Sequence, residues 1–169
     1  LNYDASKKYP LVYFLHGAGE RGGDNEAQLM HGSSLFLRDS IRQNYPAIIV
    51  FPQCPEKSFW SNVQFTNDSV TKAWLFHFQT EGEPTIAMKM AEELLKKLMK
   101  DFPVNKKQVY ITGLSMGGMG TFEMVRRNPT LFAAAMPICG GAEPATATKL
   151  TKAKWWVFHG DADNVVPEN

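Results

Sequence analysis

Five short apolar runs, at residues 11–16, 47–53, 108–112, 133–139 and 154–159, are continuous in hydrophobicity where a half-buried strand would alternate. A strand buried on both faces reads this way, because neither side of its pleat meets water, and such strands belong to parallel sheets. Between them the period changes. Across 84–102, Ile86, Ala87, Met90, Ala91, Leu94, Leu95, Leu98 and Met99 form a stripe, with lysines and glutamates opposite. That pattern predicts an amphipathic helix, with Pro84 in its first turn and Pro103 stopping it. A second helix is predicted from Gly117 through Phe122, Met124 and Val125 to Asn128-Pro129, and a weaker one within 26–43. Strand alternating with helix predicts an α/β architecture: a doubly wound, mostly parallel sheet with helices on both faces. Right-handed crossovers then bring every strand's C-terminal end to one edge, where ligands bind.

Residues 54–83 fit neither period and read as a long loop holding Phe59, Trp60, Phe65, Trp74, Phe76 and Phe78. Long loops in compact domains tend to be functional. Trp60 and His77, the latter between Phe76 and Phe78, are the residues of this segment expected to line a binding site.

Composition narrows the function classes. The 169 residues are one domain's worth of chain, so 1–169 is expected to form a single domain. Lys and Arg number 18 against 17 Asp and Glu, a net charge of +1, which gives no electrostatic footprint for nucleic acid or an anionic membrane. No apolar stretch approaches the ~20 residues of a membrane span. The chain opens on Leu1 without a methionine, so the sequence leaves its compartment open, and its oligomeric state too. Two cysteines, Cys54 and Cys139, make neither a zinc site nor a disulfide framework and read as buried thiols.

Chemistry enters at three strand ends. Gly113-Leu114-Ser115-Met116-Gly117 lies between an apolar run and a helix-like run, the strand–turn–helix setting of a nucleophile elbow. Glycines two before and two after the serine remove the Cβ atoms that a sharp turn would crush. The helix that follows aims its free N–H groups and positive end at the place where an oxyanion would form. His16-Gly17-Ala18-Gly19 ends the first run, where an acyl hydrolase supplies its second oxyanion donor. The expected pair is the N–H of Ala18 and the N–H of Met116, with His16 bracing the turn. His159-Gly160-Asp161-Ala162-Asp163 ends the last run and offers a carboxylate to orient a histidine base. Asp163 has the better loop position, and Asp161 reads as a turn former. Neither metal nor organic cofactor is required by this chemistry.

Together, His16-Gly-Ala-Gly-Glu-Arg-Gly22 with Asp24-Asn25, Phe51-Pro-Gln-Cys-Pro55 with Trp60, Thr112-Gly-Leu-Ser-Met-Gly-Gly118 and His159-Gly-Asp-Ala-Asp163 resemble the α/β-hydrolase fold. The resemblance is to bacterial esterases of the predicted-peptidase and phospholipase/carboxylesterase type, related to polyhydroxybutyrate depolymerase-like esterases. It implies Ser115 as nucleophile, Asp163 as triad acid, Ala18 and Met116 as oxyanion donors, and a small-molecule or polymer-derived ester as substrate. Peptidase activity on the same machinery, or a hydrolase scaffold without catalysis, are the alternatives. It also implies further strands before Leu1 and a histidine-bearing loop after Asn169, so the 169 residues alone are expected to be inactive. In the usual strand order Cys54 and Cys139 would stand about three strand spacings, ~14 Å, apart, beyond disulfide reach. A rival reading, a dinucleotide turn at Thr112-Gly-x-x-x-Gly-Gly-x-Gly120 with Glu143 as ribose acid, has the wrong glycine spacing.

Overall fold

The computed structural model describes residues 3–70 and 74–167. The chain runs β1 (Tyr9–Leu15), α1 (Ser33–Leu37), α2 (Asp39–Asn44), β2 (Ile48–Val50), β3 (Val63–Asn67), β4 (Trp74–Phe78), α3 (Ile86–Asp101), β5 (Val104–Leu114), α4 (Met116–Arg127), β6 (Ala134–Ile138) and β7 (Lys154–Trp155). Short 3-10 turns follow β1, at Ala18–Glu20, and β6, at Pro144–Leu150. The five apolar runs become one sheet of order β2-β1-β5-β6-β7 in which every neighbouring pair is parallel. This is the α/β-hydrolase architecture that the sequence predicts.

Alternation along β1 assigns the faces. Leu11, Tyr13 and Leu15 are fully buried, and the Tyr13 hydroxyl donates to the Ala91 carbonyl of α3 at 3.0 Å. With Val109 and Ile111 of β5 they meet Ala87, Met88, Ala91 and Leu95 of α3 and Met124 and Val125 of α4. Each such leucine, isoleucine, valine or methionine side chain taken from water contributes about 1.5–3 kcal/mol. Phe14 points the other way, onto Phe51 and under the Gly32 cap of α1, and Phe36 of α1 meets Phe51 edge-on.

Several boundaries differ from the sequence reading. In β2 only Ile48–Val50 pairs, since Pro46 and Pro52 flank the run and lack the N–H a ladder needs. Strand β5 begins earlier, at Val104, which pairs with Tyr9 across a register shift that the polar 105–108 stretch concealed. Strand β7 is short, though Phe158 still bridges to Ile138. The α3 stripe is rotated from its expected centre: Ile86 and Met90 are exposed, and Pro84 precedes the helix instead of lying in its first turn, because Thr85 is the N-cap and accepts the Met88 N–H. The weak helix within 26–43 is a 3-10 turn at Ala27–Leu29 followed by α1 and α2.

The largest difference lies in 54–83. Where a loop was expected, β3 and β4 form an antiparallel hairpin, separate from the main sheet. Val63 pairs with Phe78, Phe65 with Phe76 and Asn67 with Trp74, so these share one face, while Gln64, Thr66, Leu75 and His77 take the other.

Candidate active site

The turn after β5 carries Ser115 at φ 54° and ψ −114°, a backbone region that costs a non-glycine residue of the order of 1–3 kcal/mol. The Ser115 N–H donates to the Ile138 carbonyl of β6 at 2.8 Å, which holds the strained turn against its neighbour. The glycines are required by contact. A Cβ on Gly113 would stand 2.2 Å from the Gly117 carbonyl oxygen, and one on Gly120 would stand 2.4 Å from the Trp60 Cβ. Met116 opens α4, so its N–H has no acceptor within the helix. Ala18 opens the 3-10 turn after β1 in the same way. Ser115, Met116 and Ala18 line one cavity of about 320 Å³, so the expected nucleophile and both expected donors share a wall. Among the described residues the Ser115 hydroxyl has no hydrogen-bond partner.

His16 is buried beneath this wall. Its Nε2 accepts the Cys54 N–H at 2.9 Å, so the proton sits on Nδ1, which donates to the Gly17 carbonyl at 2.6 Å. Both ring nitrogens are occupied, and burial holds the imidazole below its ordinary pKa. The ring is a neutral brace. Glu20 stands 3.9 Å from Nδ1 and 3.5 Å from His31.

Asp163 closes the loop after β7. Its Oδ1 accepts the N–H groups of Val166 and Val165 at 2.9 and 2.8 Å, and these bonds hold the carboxyl below the usual carboxylate range. Val165 and Val166 in turn line the Ser115 cavity. His159 donates from Nε2 to the Val166 carbonyl at 2.7 Å and lies 3.7 Å from Asp163 Oδ2. His159 is thereby a loop brace.

Two expected lining residues are placed elsewhere. Trp60 is 1% exposed, donates from Nε1 to the His16 carbonyl at 3.0 Å, and meets the His16 ring edge-on. An indole so enclosed packs the turn from below and does not line the cavity. His77 projects from the outward face of the hairpin, paired with Gln64, and is exposed. The cavity is walled instead by Phe65, Trp74 and Phe76 of the hairpin's inner face, with Phe59 and Met119.

Arg21 is a site residue that the sequence reading passed over. Its Nε donates to the Ala18 carbonyl at 2.9 Å, one Nη to the Glu56 carbonyl at 3.1 Å, and its guanidinium lies 4.5 Å over the Phe59 ring. It ties the turn after β1 to the cavity wall. An arginine beside Gly-rich sequence gives no periodic signal, so only its place in the His-Gly-Ala-Gly-Glu-Arg motif pointed to it. The thiols take no part: Cys54 is buried, with its pKa pushed up to about 12, burial raises Cys139 too, and both are free. Among the described residues no group of His, Cys, Asp and Glu is placed to hold a metal ion, and no helix is long and apolar enough to cross a membrane.

A family model described as "Putative esterase" matches residues 1–165. The chain belongs to the Esterase family. A crystal structure of a thermostable esterase superposes with a TM-score of 0.83 at 36% identity, over 98% of this chain and 42% of that one. An endo-1,4-beta-xylanase/feruloyl esterase from Xylanibacter ruminicola is 25% identical over 166 residues, 96% of this esterase-family chain and 21% of the relative. A ferulic acid esterase structure, at 19% identity and a TM-score of 0.58 over 91% of this chain and 66% of its own, shares the fold. This esterase-family chain thus spans less than half the length of the first two.

Proposed function

We infer that this chain carries the catalytic centre of a serine hydrolase that cleaves carboxylic esters through an acyl-enzyme on Ser115. The observation that carries the reading is the strained Ser115 turn, which shares a cavity with Ala18 and Met116, the residues whose N–H groups are the expected donors. Ser115 Oγ attacks the ester carbonyl, and the charge that develops on the carbonyl oxygen is met by those donors. Each contributes about 3 kcal/mol to the transition state. The alcohol leaves with a proton, and water then cleaves the acyl-enzyme.

The ionised Asp163 suits the role of triad acid, because a fixed carboxylate stabilises an imidazolium and selects its tautomer. The proton acceptor itself, in this reading, is none of the described histidines. His16 has both nitrogens engaged, His159 is bonded to Val166, His77 faces away from the cavity, and His31 stands 3.5 Å from Glu20 without lining the cavity.

The aromatic wall supports an apolar, flat acyl group as the preferred substrate, small or polymer-derived. A relative named as a feruloyl esterase, with an aromatic acyl group, agrees with that shape. Neither a metal nor an organic cofactor enters the proposed chemistry. The test is hydrolysis of p-nitrophenyl esters by the full-length protein and its Ser115→Ala variant. Turnover lost with Ser115 supports the proposal; turnover retained without it refutes the nucleophile. Comparable rates on a matched p-nitroanilide would instead favour the peptidase alternative.

A further inference from the structure

Among the described residues the β3–β4 hairpin shares no ladder with the central sheet, yet its inner aromatics wall the Ser115 cavity. Its placement over the nucleophile depends on side chains, and the polar ones come from a single face of α4. Glu123 is nearly buried at 6% exposure, and its Oε2 accepts the Asn62 N–H at 2.9 Å, at the root of β3. The Asn62 carbonyl accepts the Gln79 N–H at 2.8 Å just after β4, which closes the base of the hairpin. Arg126 donates to the Thr80 carbonyl at 2.7 Å, and Arg127 reaches the Gly82 carbonyl at 3.4 Å. Both guanidinium groups also face the same Glu123 Oε1, Arg127 Nε at 2.8 Å and Arg126 Nη2 at 3.6 Å. A carboxylate this enclosed needs such compensation, and two cations one turn along the helix provide it.

One helix therefore fixes both parts of the site. Its first turn presents Ser115 and Met116, and about 10 Å further along it grips the root of the hairpin that covers them. We propose that Glu123, held by Arg126 and Arg127, is a positioning residue that sets acyl-group specificity by fixing the aromatic hairpin over Ser115. The proposal rests on Ser115 being the nucleophile of an ester hydrolase. A small acyl group needs only Ser115 and the oxyanion donors. A large aromatic one also needs the hairpin in register.

The experiment compares the full-length protein with Glu123→Gln and Arg126→Met, using p-nitrophenyl acetate and p-nitrophenyl 3-phenylpropanoate, with fluorophosphonate labelling of Ser115 in each. The expected result is a rise of about tenfold in KM for the phenylpropanoate, with kcat, both acetate parameters and the labelling rate within about twofold. Arg126→Met removes the hold on Thr80 while leaving Glu123 and Arg127 paired, so it decides the matter if Glu123→Gln fails to fold. Equal changes for both esters, or an unchanged phenylpropanoate KM in a labelled variant, overturn the proposal. A wild-type protein that neither labels nor hydrolyses either ester overturns the Ser115 reading, and this inference with it.

Discussion

Gly117, in the first turn of α4, lies so close to Leu15 at the end of β1 that a Cβ on it would stand 1.9 Å from the Leu15 carbonyl oxygen. Both sides of that contact are backbone, so neither can rotate away. Gly117→Ala is expected to lower stability by at least about 3 kcal/mol, since overpacking against a fixed wall commonly costs 1–3 kcal/mol where side chains can adjust. Gly160→Ala, where nothing lies within 4 Å of the added carbon, should be neutral or slightly stabilising. Urea unfolding of the two variants checks the contrast.

His16 makes stability depend on pH. Its folded-state pKa is depressed from 6.5, chiefly by burial. The unfolded chain therefore binds more protons as pH falls through 6.5, and the stability present above that value is lost toward the lower folded pKa. Unfolding free energy should fall from pH 7 to pH 5, and His16→Gln should flatten that slope. The depressed pKa values of Asp24 and Asp163 act below 3.8, outside this window.

How much of this was legible in the sequence depends on which force wrote each element. The five sheet strands and their common edge were readable because each is written as an unbroken apolar run. The Ser115 turn was readable because its glycines answer a backbone clash that no other residue relieves. The hairpin was not. Val63, Phe65 and Asn67 alternate with Gln64 and Thr66, but the neighbouring Trp60, Phe59 and Phe78 blurred the period of two. Trp60 was the wrong aromatic for the cavity for a related reason: composition shows that an indole is present, whereas only its bond to the His16 carbonyl shows which way it faces. The grip of Glu123, Arg126 and Arg127 is an ordinary exposed-looking helical charge pattern until the hairpin is laid on it.

Trp60 and Trp74 separate packing from binding. Trp60→Phe should cost about 1 kcal/mol of stability, the net worth of one hydrogen bond, and leave KM for aryl esters unchanged. Trp74 lines the cavity while remaining partly open to solvent, so Trp74→Ala should raise KM for an aryl ester several-fold with a small loss of stability. Thermal unfolding and steady-state kinetics on both variants give the comparison.

Asp163→Asn preserves an oxygen that can accept the Val165 and Val166 N–H groups, so the loop should keep its shape. It removes the charge that a triad acid supplies. The expected outcome is a fall of about 10³–10⁴ in kcat for p-nitrophenyl acetate, with the fold intact by circular dichroism. Asp161→Asn should leave turnover within about twofold.

The most direct measurement of the central claim is covalent labelling of the folded, full-length protein with a fluorophosphonate probe, followed by mass spectrometry of the peptide that contains Ser115. The expected result is one adduct per chain, on Ser115, absent in Ser115→Ala. An unlabelled Ser115 in a folded protein that still hydrolyses p-nitrophenyl acetate would contradict it.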